Sequence, residues 1–225
     1  MRPRATGIFV TGTDTGVGKT VVACALLRRW VARGEQAVGM KPVAAGTPPG
    51  AAEHDDVAAL VAAGNVEAPL AAHNPFAFAP AIAPHLAAAE AGMSIDLERI
   101  RAAYDLLAAR ANRVVVEGAG GVWVPLDAQR DMLDIARTLS LPVLLVVAVR
   151  LGCLNHALLS AHAVHARGLA FAGWVANLVE PQLPRLDGNV ETLEARLPAP
   201  RIATLFWGER DAPQWGPGAA ALGLA

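Results

Sequence analysis

The amino-acid sequence predicts an α/β protein with a mostly parallel central sheet covered by helices on both faces. Three observations carry that prediction. Short runs of Val, Ile and Leu recur without polar alternation, as strands buried on both faces require. Stretches of helical periodicity, about a dozen residues each, separate them and are long enough to serve as crossovers. A glycine-containing loop joins the first run to the first helix.

Taken in order, Gly7 to Thr11 reads as the first strand and Lys19 to Arg33 as an apolar helix. Gln36 to Met40 reads as a second, short strand, and Asp55 to Ala63 as a helix by its apolar spacing. The segment from Asn65 to Pro84 is a connection punctuated by Pro69, Pro75, Pro80 and Pro84, with helical turns around Ala81 to Ala91. Ser94 to Asn112 is amphipathic: Ile95, Leu97, Ile100, Leu106 and Leu107 form its apolar face, and Ser94 supplies a cap. Arg113 to Glu117 is a strand ending in an acid, and Asp131 to Leu139 a helix. Val143 to Val149 is the most strongly β-forming run, and Leu154 to Arg167 a helix stopped by Gly168. Phe171 to Asn177 is a strand, Gly188 to Leu197 a helix, and Arg201 to Leu205 a last short strand. The Gly/Ala-rich stretch from Gly216 to Ala225 carries no charge and reads as a frayed terminus. No linker-like shift in composition divides the chain, so residues 1–225 are expected to form a single domain.

Composition excludes several function classes. The formal net charge of −1, with no clustered Lys/Arg face, argues against nucleic acid as a partner, because such affinity rests on neutralising phosphates. The longest apolar run, Leu141 to Val149, is interrupted by Pro142 and far short of the roughly 20 residues of a membrane span. Arg2 and Arg4 are followed only by Gly7 to Val10 before Thr11, too short for a secretion signal. Cys24 and Cys153 form no metal-spaced cluster. A cytoplasmic protein with no membrane contact is expected. Among its cations, 17 are Arg and only 2 are Lys: Lys19 and Lys41.

The most informative segment is Gly12-Thr13-Asp14-Thr15-Gly16-Val17-Gly18-Lys19-Thr20. It follows a strand and opens a helix, the setting of a phosphate-binding P-loop. Successive backbone N–H groups and the helix N-terminus receive phosphate oxygens there. Lys19 supplies a full charge, and the Thr20 hydroxyl suits Mg²⁺, a hard cation that prefers oxygen. Thr13 stands where the general pattern has Gly. Glu117, at the end of its strand and before Gly118-Ala119-Gly120-Gly121, reads as a second metal ligand or water holder. Lys41 follows the second strand and faces the same crevice, where it could stabilise a transferred phosphoryl group or be an ordinary surface lysine. Asp55 and Asp56, after His54, could be a helix cap or add a carboxylate near the metal.

These residues together resemble the dethiobiotin synthetase family. The resemblance is carried by Val10-Thr11-Gly12-Thr13-Asp14-Thr15 through Gly18-Lys19-Thr20, by Lys41-Pro42-Val43-Ala44 and by Val116-Glu117-Gly118-Ala119-Gly120-Gly121. It continues in Leu151-Gly152-Cys153-Leu154-Asn155-His156-Ala157 and Gly173-Trp174-Val175-Ala176-Asn177, and spans about residues 5 to 207. The family shares the unusual Thr13. The resemblance implies a P-loop NTPase-like fold of about seven strands and a homodimer with the substrate site at the subunit interface. Its substrates would be 7,8-diaminopelargonate, CO₂ and MgATP: one amine captures CO₂ as a carbamate, the carbamate attacks the γ-phosphate, and the second amine closes the ureido ring.

By family position, Lys41, Lys19 and Thr15 would be catalytic. Thr20, Asp56 and Glu117 would hold Mg²⁺. ATP would contact Gly16, Val17, Gly18, Lys19, Thr20, Val21, Gly118, Ala119 and Gly120. Its base would meet Asn177, Leu205, Phe206 and Trp207. The substrate would contact Lys41 and Ala45, and the helix opening of Gly152, Cys153, Leu154 and Asn155 would hold its tail carboxylate across the dimer. Four positions depart from common family usage: Gly16 stands where some members have Glu, Ala45 where Ser is frequent, Leu178 where an acid is frequent, and Phe206 where Pro is common. A partitioning-type switch ATPase is the alternative, although residues 11 to 18 lack the extra loop lysine of that class. A cobyrinate-type amidoligase would need a glutaminase domain for which 225 residues leave no room. An inactive nucleotide-binding homologue is the non-enzymatic alternative.

Overall fold

The computed structural model describes residues 5–48, 50–51, 53–180, 182–208 and 213–224. The chain runs β1 (Thr6–Gly12), α1 (Lys19–Ala32), β2 (Ala37–Met40), β3 (Val43–Ala45), α2 (Asp55–Ala63), α3 (Leu70–His73) and β4 (Phe76–Phe78). It continues α4 (Pro84–Glu90), α5 (Leu97–Ala108), β5 (Arg113–Gly121), α6 (Met132–Leu139), β6 (Val143–Ala148) and α7 (Cys153–Ala166). It ends with β7 (Phe171–Asn177), α8 (Leu186–Arg196), β8 (Arg201–Leu205), β9 (Gln214–Trp215) and a 3₁₀ turn, Pro217–Leu222.

Seven strands form one sheet in the order β2-β5-β1-β6-β7-β8-β9. The first six are parallel and β9 is antiparallel to β8. The hydrophobic runs explain this directly. Every residue of β6, VLLVVA, is buried, because helices cover both faces of the sheet. On one face Phe9, Val114 and Val116 meet α5 and α6; on the other Ile8, Val10 and Val115 meet α1. Helix α1 presents Ala23, Cys24 and Ala25 as well as Val22, Leu26 and Leu27, and small residues let it lie close to the sheet. Both cysteines are buried thiols.

Helix starts follow local chemistry. At α6, the Asp131 carboxylate accepts the Leu133 N–H at 2.9 Å and the Asp134 carboxylate accepts the Asp131 N–H at 2.9 Å, a reciprocal capping box. Asp96, rather than Ser94, caps α5, accepting the Glu98 N–H at 2.9 Å, so the helix starts later than its apolar pattern suggests. Gly168, at φ +66°, follows the end of α7 as expected.

Two regions differ from the sequence expectation. The proline-punctuated connection contains β4, which pairs in parallel with β3 as a separate two-stranded sheet. From Gly216 to Leu224 the C-terminal stretch is packed instead of frayed, while Ala225 lies outside the described residues. Leu224 is fully buried with Ala219 against the α1 side of the sheet. Its carbonyl accepts from Arg29 Nε at 3.2 Å, and the Leu222 carbonyl accepts from Trp30 Nε1 at 3.2 Å. Small residues allow this: Gly218 approaches the Arg201 carbonyl and Pro200 so closely that an added Cβ would lie 2.8 Å from the former.

Candidate active site

The loop between β1 and α1, the end of β2, the start of α2 and the end of β5 converge at the C-terminal edge of the sheet. There they enclose a cavity of about 1080 Å³. The loop is held from within: Lys19 Nζ donates to the Asp14 carbonyl at 2.9 Å, and the Thr15 N–H donates to the Asp14 carboxylate at 2.7 Å. Gly18, at φ +92°, makes the turn into α1. Asn177, at the end of β7, donates from Nδ2 to the Val17 carbonyl at 2.8 Å. That bond orients the amide and leaves its oxygen available as an acceptor.

On the cavity floor, Lys41 Nζ lies 2.5 Å from Glu117 Oε1 and 2.6 Å from Asp56 Oδ2. Thr20 Oγ1 donates to the same Glu117 oxygen at 2.9 Å. The backbone at Lys41 is fixed by the segment that had read only as a connection: Asn74 Nδ2 donates to the Lys41 carbonyl at 2.6 Å, and the Lys41 N–H donates to the His73 carbonyl at 2.8 Å. Burial pushes the Glu117 carboxyl above its usual range despite the lysine beside it. Burial opposes charge on Lys41 too, but the two carboxylates more than offset it and its pKa is raised. Asp56 is also desolvated, yet the Lys41 charge and hydrogen bond hold its carboxyl below the usual value. The three groups titrate as a unit. Lys19 has no such carboxylate contact: burial first, and the Lys41 charge second, lower its pKa to about 8.

The donor set suits a hard divalent cation. Glu117 Oε2 is buried with no hydrogen-bond partner, although its twin oxygen has two. The Thr20 hydroxyl and the Asp56 carboxylate complete an all-oxygen group. Two ammonium groups and two carboxylates also cancel, so a dication would give the floor the positive charge that a triphosphate requires.

Of the residues expected here, Thr15, Gly16, Gly18, Lys19, Thr20, Val21, Lys41, Ala45, Asp56, Glu117, Ala119, Gly120, Asn177, Leu205, Phe206 and Trp207 line the cavity. Two do not. The Val17 side chain is buried, and only its carbonyl serves the site, through Asn177. Gly118 faces the core instead, where an added Cβ would lie 2.9 Å from Phe9. Gly152, Cys153, Leu154 and Asn155 also lie outside this cavity. Cys153 is buried, and burial raises its thiol pKa, so it is not a reactive thiolate. Sequence reasoning missed the wall from Ala81 to Pro84 and the side chain of His54. The run Ala81-Ile82-Ala83 carried no chemical signal, and His54 had only its place before two acids.

A parallel sheet with a glycine-turned loop at a helix N-terminus, a buried lysine pair and an oxygen donor set defines a P-loop nucleotide-binding protein. Comparison with solved structures agrees on the fold. The signal recognition particle receptor FtsY of Elizabethkingia anophelis, in complex with GDP, superposes with a TM-score of 0.57 at 18% identity, covering 100% of this chain and 64% of that one. A family model described as an AAA domain matches residues 6–210. The sequence relatives are more specific. The ATP-dependent dethiobiotin synthetase BioD of Nitrosospira multiformis is 52% identical over 199 residues, 88% of this chain and 87% of the relative. That of Xanthomonas campestris pv. campestris strain B100 is 50% identical over 220 residues, 96% and 94% of the two chains. The chain belongs to the ATP-dependent dethiobiotin synthetase family. No helix among the described residues is long and apolar enough to cross a membrane.

Proposed function

We propose that this chain catalyses its family's reaction in the cytoplasm, as a step of biotin synthesis. 7,8-Diaminopelargonate, CO₂ and ATP would give dethiobiotin, ADP and phosphate. The observation that carries the reading is the pair of buried lysines on one cavity floor, Lys19 on the phosphate loop and Lys41 opposite it. An amine of the diamine adds CO₂ with loss of a proton, giving a carbamate. A carbamate oxygen attacks the γ-phosphorus and ADP leaves. The second amine then attacks the carbamoyl carbon, phosphate leaves, and the ring closes. Both partners in the phosphoryl step are anions, so cationic groups must hold them together. Lys19 serves the phosphates and Lys41 the carbamate and the oxygens in transfer, while Thr15 borders both. Mg²⁺ would be held by Thr20, Asp56 and Glu117 and would neutralise phosphate charge. The Asn177 amide oxygen suits the adenine amino group.

The direct test is to mix the protein with diaminopelargonate, bicarbonate and MgATP and to measure dethiobiotin and phosphate. Stoichiometric release of both is expected. Phosphate release independent of the diamine would favour a switch ATPase, and no dethiobiotin would sink the proposal.

The charge state of Lys19 gives a second expected result. With its pKa near 8, Lys19 is about half protonated at that pH. Nucleotide phosphates favour the protonated form, so binding near pH 8 takes up a proton, and affinity falls as pH rises further. Calorimetry in two buffers of different ionisation enthalpy reads this uptake; identical heats would mean that Lys19 is charged throughout.

We further propose a homodimer. Its support is an exposed apolar surface around the start of α7, where Leu151 is 92% exposed, Leu159 59% and Trp123 54%. A cleft of about 400 Å³ lies beside it, lined by Trp123, Leu159 and His156 among others. The opening of α7 lies outside the cavity of its own chain, so its N–H groups would hold a substrate carboxylate in a second copy. A diamine lacking the tail carboxylate should therefore bind at least about tenfold more weakly, the worth of a charge-assisted hydrogen bond. Equal affinity would remove the anchor.

A further inference from the structure

The cavity's hydrogen-bonding side chains are nearly all committed. Lys19 and Thr20 belong to the phosphate loop; Lys41, Asp56 and Glu117 bind one another; Asn177 is tied to the loop at the base end, where Trp207 also lies. The wall opposite the phosphate loop is apolar: Ala44, Ala45, Ala81, Ile82, Ala83 and Pro84. Among the described residues, apart from Thr15 on the loop, this leaves His54.

His54 caps α2 in an uncommon way. Its Nδ1 accepts the Asp56 backbone N–H at 3.1 Å. With Nδ1 the acceptor of that bond, Nε2 is the ring nitrogen that carries an N–H. The ring is only 17% exposed. Nε2 faces Gly46, at the end of β3, where an added Cβ would lie 3.9 Å away. Gly46, at φ +98°, presents no side chain between the ring and this wall. Nδ1 lies 3.8 Å from Asp56 Oδ2, which is itself 2.6 Å from Lys41 Nζ. The helix cap thus fixes an N–H donor beside the lysine assigned to the carbamate, on a wall with no other side-chain donor among the described residues.

We propose that His54 Nε2–H donates a hydrogen bond to an oxygen of the substrate carbamate, making His54 a binding residue selective for the carboxylated diamine over the free diamine. An ammonium has no lone pair to accept with and a free amine has a single neutral one, whereas the carbamate presents two anionic acceptor oxygens. The capping bond keeps the imidazole from turning its acceptor nitrogen inward. The inference rests on the reaction proposed above.

The test measures diaminopelargonate affinity in the presence of a non-hydrolysable ATP analogue, with and without bicarbonate. Wild-type protein is expected to bind the diamine more tightly when bicarbonate is present. His54→Asn keeps a capping oxygen near the position of Nδ1 but lacks the reach of Nε2. It should melt at the wild-type temperature, bind the diamine in CO₂-free buffer within about twofold of wild type, and lose about tenfold of the bicarbonate-dependent tightening. His54→Ser, a second capping residue, should give the same split even if the asparagine variant folds poorly. Bicarbonate-dependent tightening that survives in both variants overturns the role of His54 and leaves the reaction standing. A wild-type protein that makes no dethiobiotin overturns the reaction and this inference with it.

Discussion

Replacing Lys41 by Arg is expected to lower turnover by about two to three orders of magnitude while leaving ATP affinity within a few-fold of wild type. Lys41 is 5% exposed and bonded to two carboxylates at 2.5 and 2.6 Å, so its compact ammonium fits a closed site. A guanidinium is planar, larger and unable to present one point charge to two anions at once. Its extra volume also meets a packed neighbourhood, and overpacking of this kind costs about 1–3 kcal/mol. A lowered melting temperature with ATP binding retained is therefore part of the expected result. The nucleotide would be spared, because the loop contacts proposed for it come from the Gly16-to-Thr20 backbone and from Lys19. Steady-state assays of dethiobiotin formation and nucleotide titration separate the two effects. Near-normal turnover would show that Lys41 only balances the charges of Asp56 and Glu117.

Gly18→Ala should raise the KM for ATP by more than about tenfold. Two physical costs meet at this position. Its φ of +92° is outside the range an L-residue adopts comfortably, at about 1–2 kcal/mol. In addition, the new Cβ would stand 2.4 Å from Asn177 Nδ2, so the amide must leave the Val17 carbonyl that orients it. Gly16→Ala is the internal control. Gly16 also has a positive φ, +72°, but open space where its Cβ would go. It should show the backbone cost without the loss of base orientation. Comparing ATP with other triphosphates in both variants reads that difference: discrimination should fall in Gly18→Ala and persist in Gly16→Ala. Equal behaviour would mean that Asn177 does not read the base.

The parts of this fold that could be read in advance are those whose cause is local. Strands β1, β5, β6, β7 and β8 are buried on both faces and so appear as apolar runs; α2 was legible from its spacing. The phosphate loop and Lys41 were legible because each sits at the junction of a strand and its following turn, and Glu117 because an acid interrupts an apolar run. The strand itself does not end there, as the sequence suggests, but continues past Glu117 to Gly121. What escaped was set by distant partners. Strands β3 and β4 are three residues each and exist because Val43 to Ala45 pair with Phe76 to Phe78. Strand β9 is two residues, held by Ala203 and Thr204. His54 reads as a residue before an acidic helix start, and only Gly46 and Ala81, which meet beside its ring, give that ring a cavity to face. The same limit explains Gly118: a glycine run at a strand end suggests close approach to a ligand, but β5 turns this one toward Phe9 and Met132.

The packed C-terminal turn has a consequence for how the molecule comes into being. Trp30 and Arg29, on the helix that begins at Lys19, are met by the carbonyls of Leu222 and Leu224, nearly two hundred residues later. A chain is made from its N-terminus, and a domain folds as a unit once its contacts can form. Here one face of the helix that follows the phosphate loop is completed only by Leu222 and Leu224. Completion of that face is thus late in synthesis: removing residues 217–224 would uncover Trp30 on the very helix that opens at the phosphate loop.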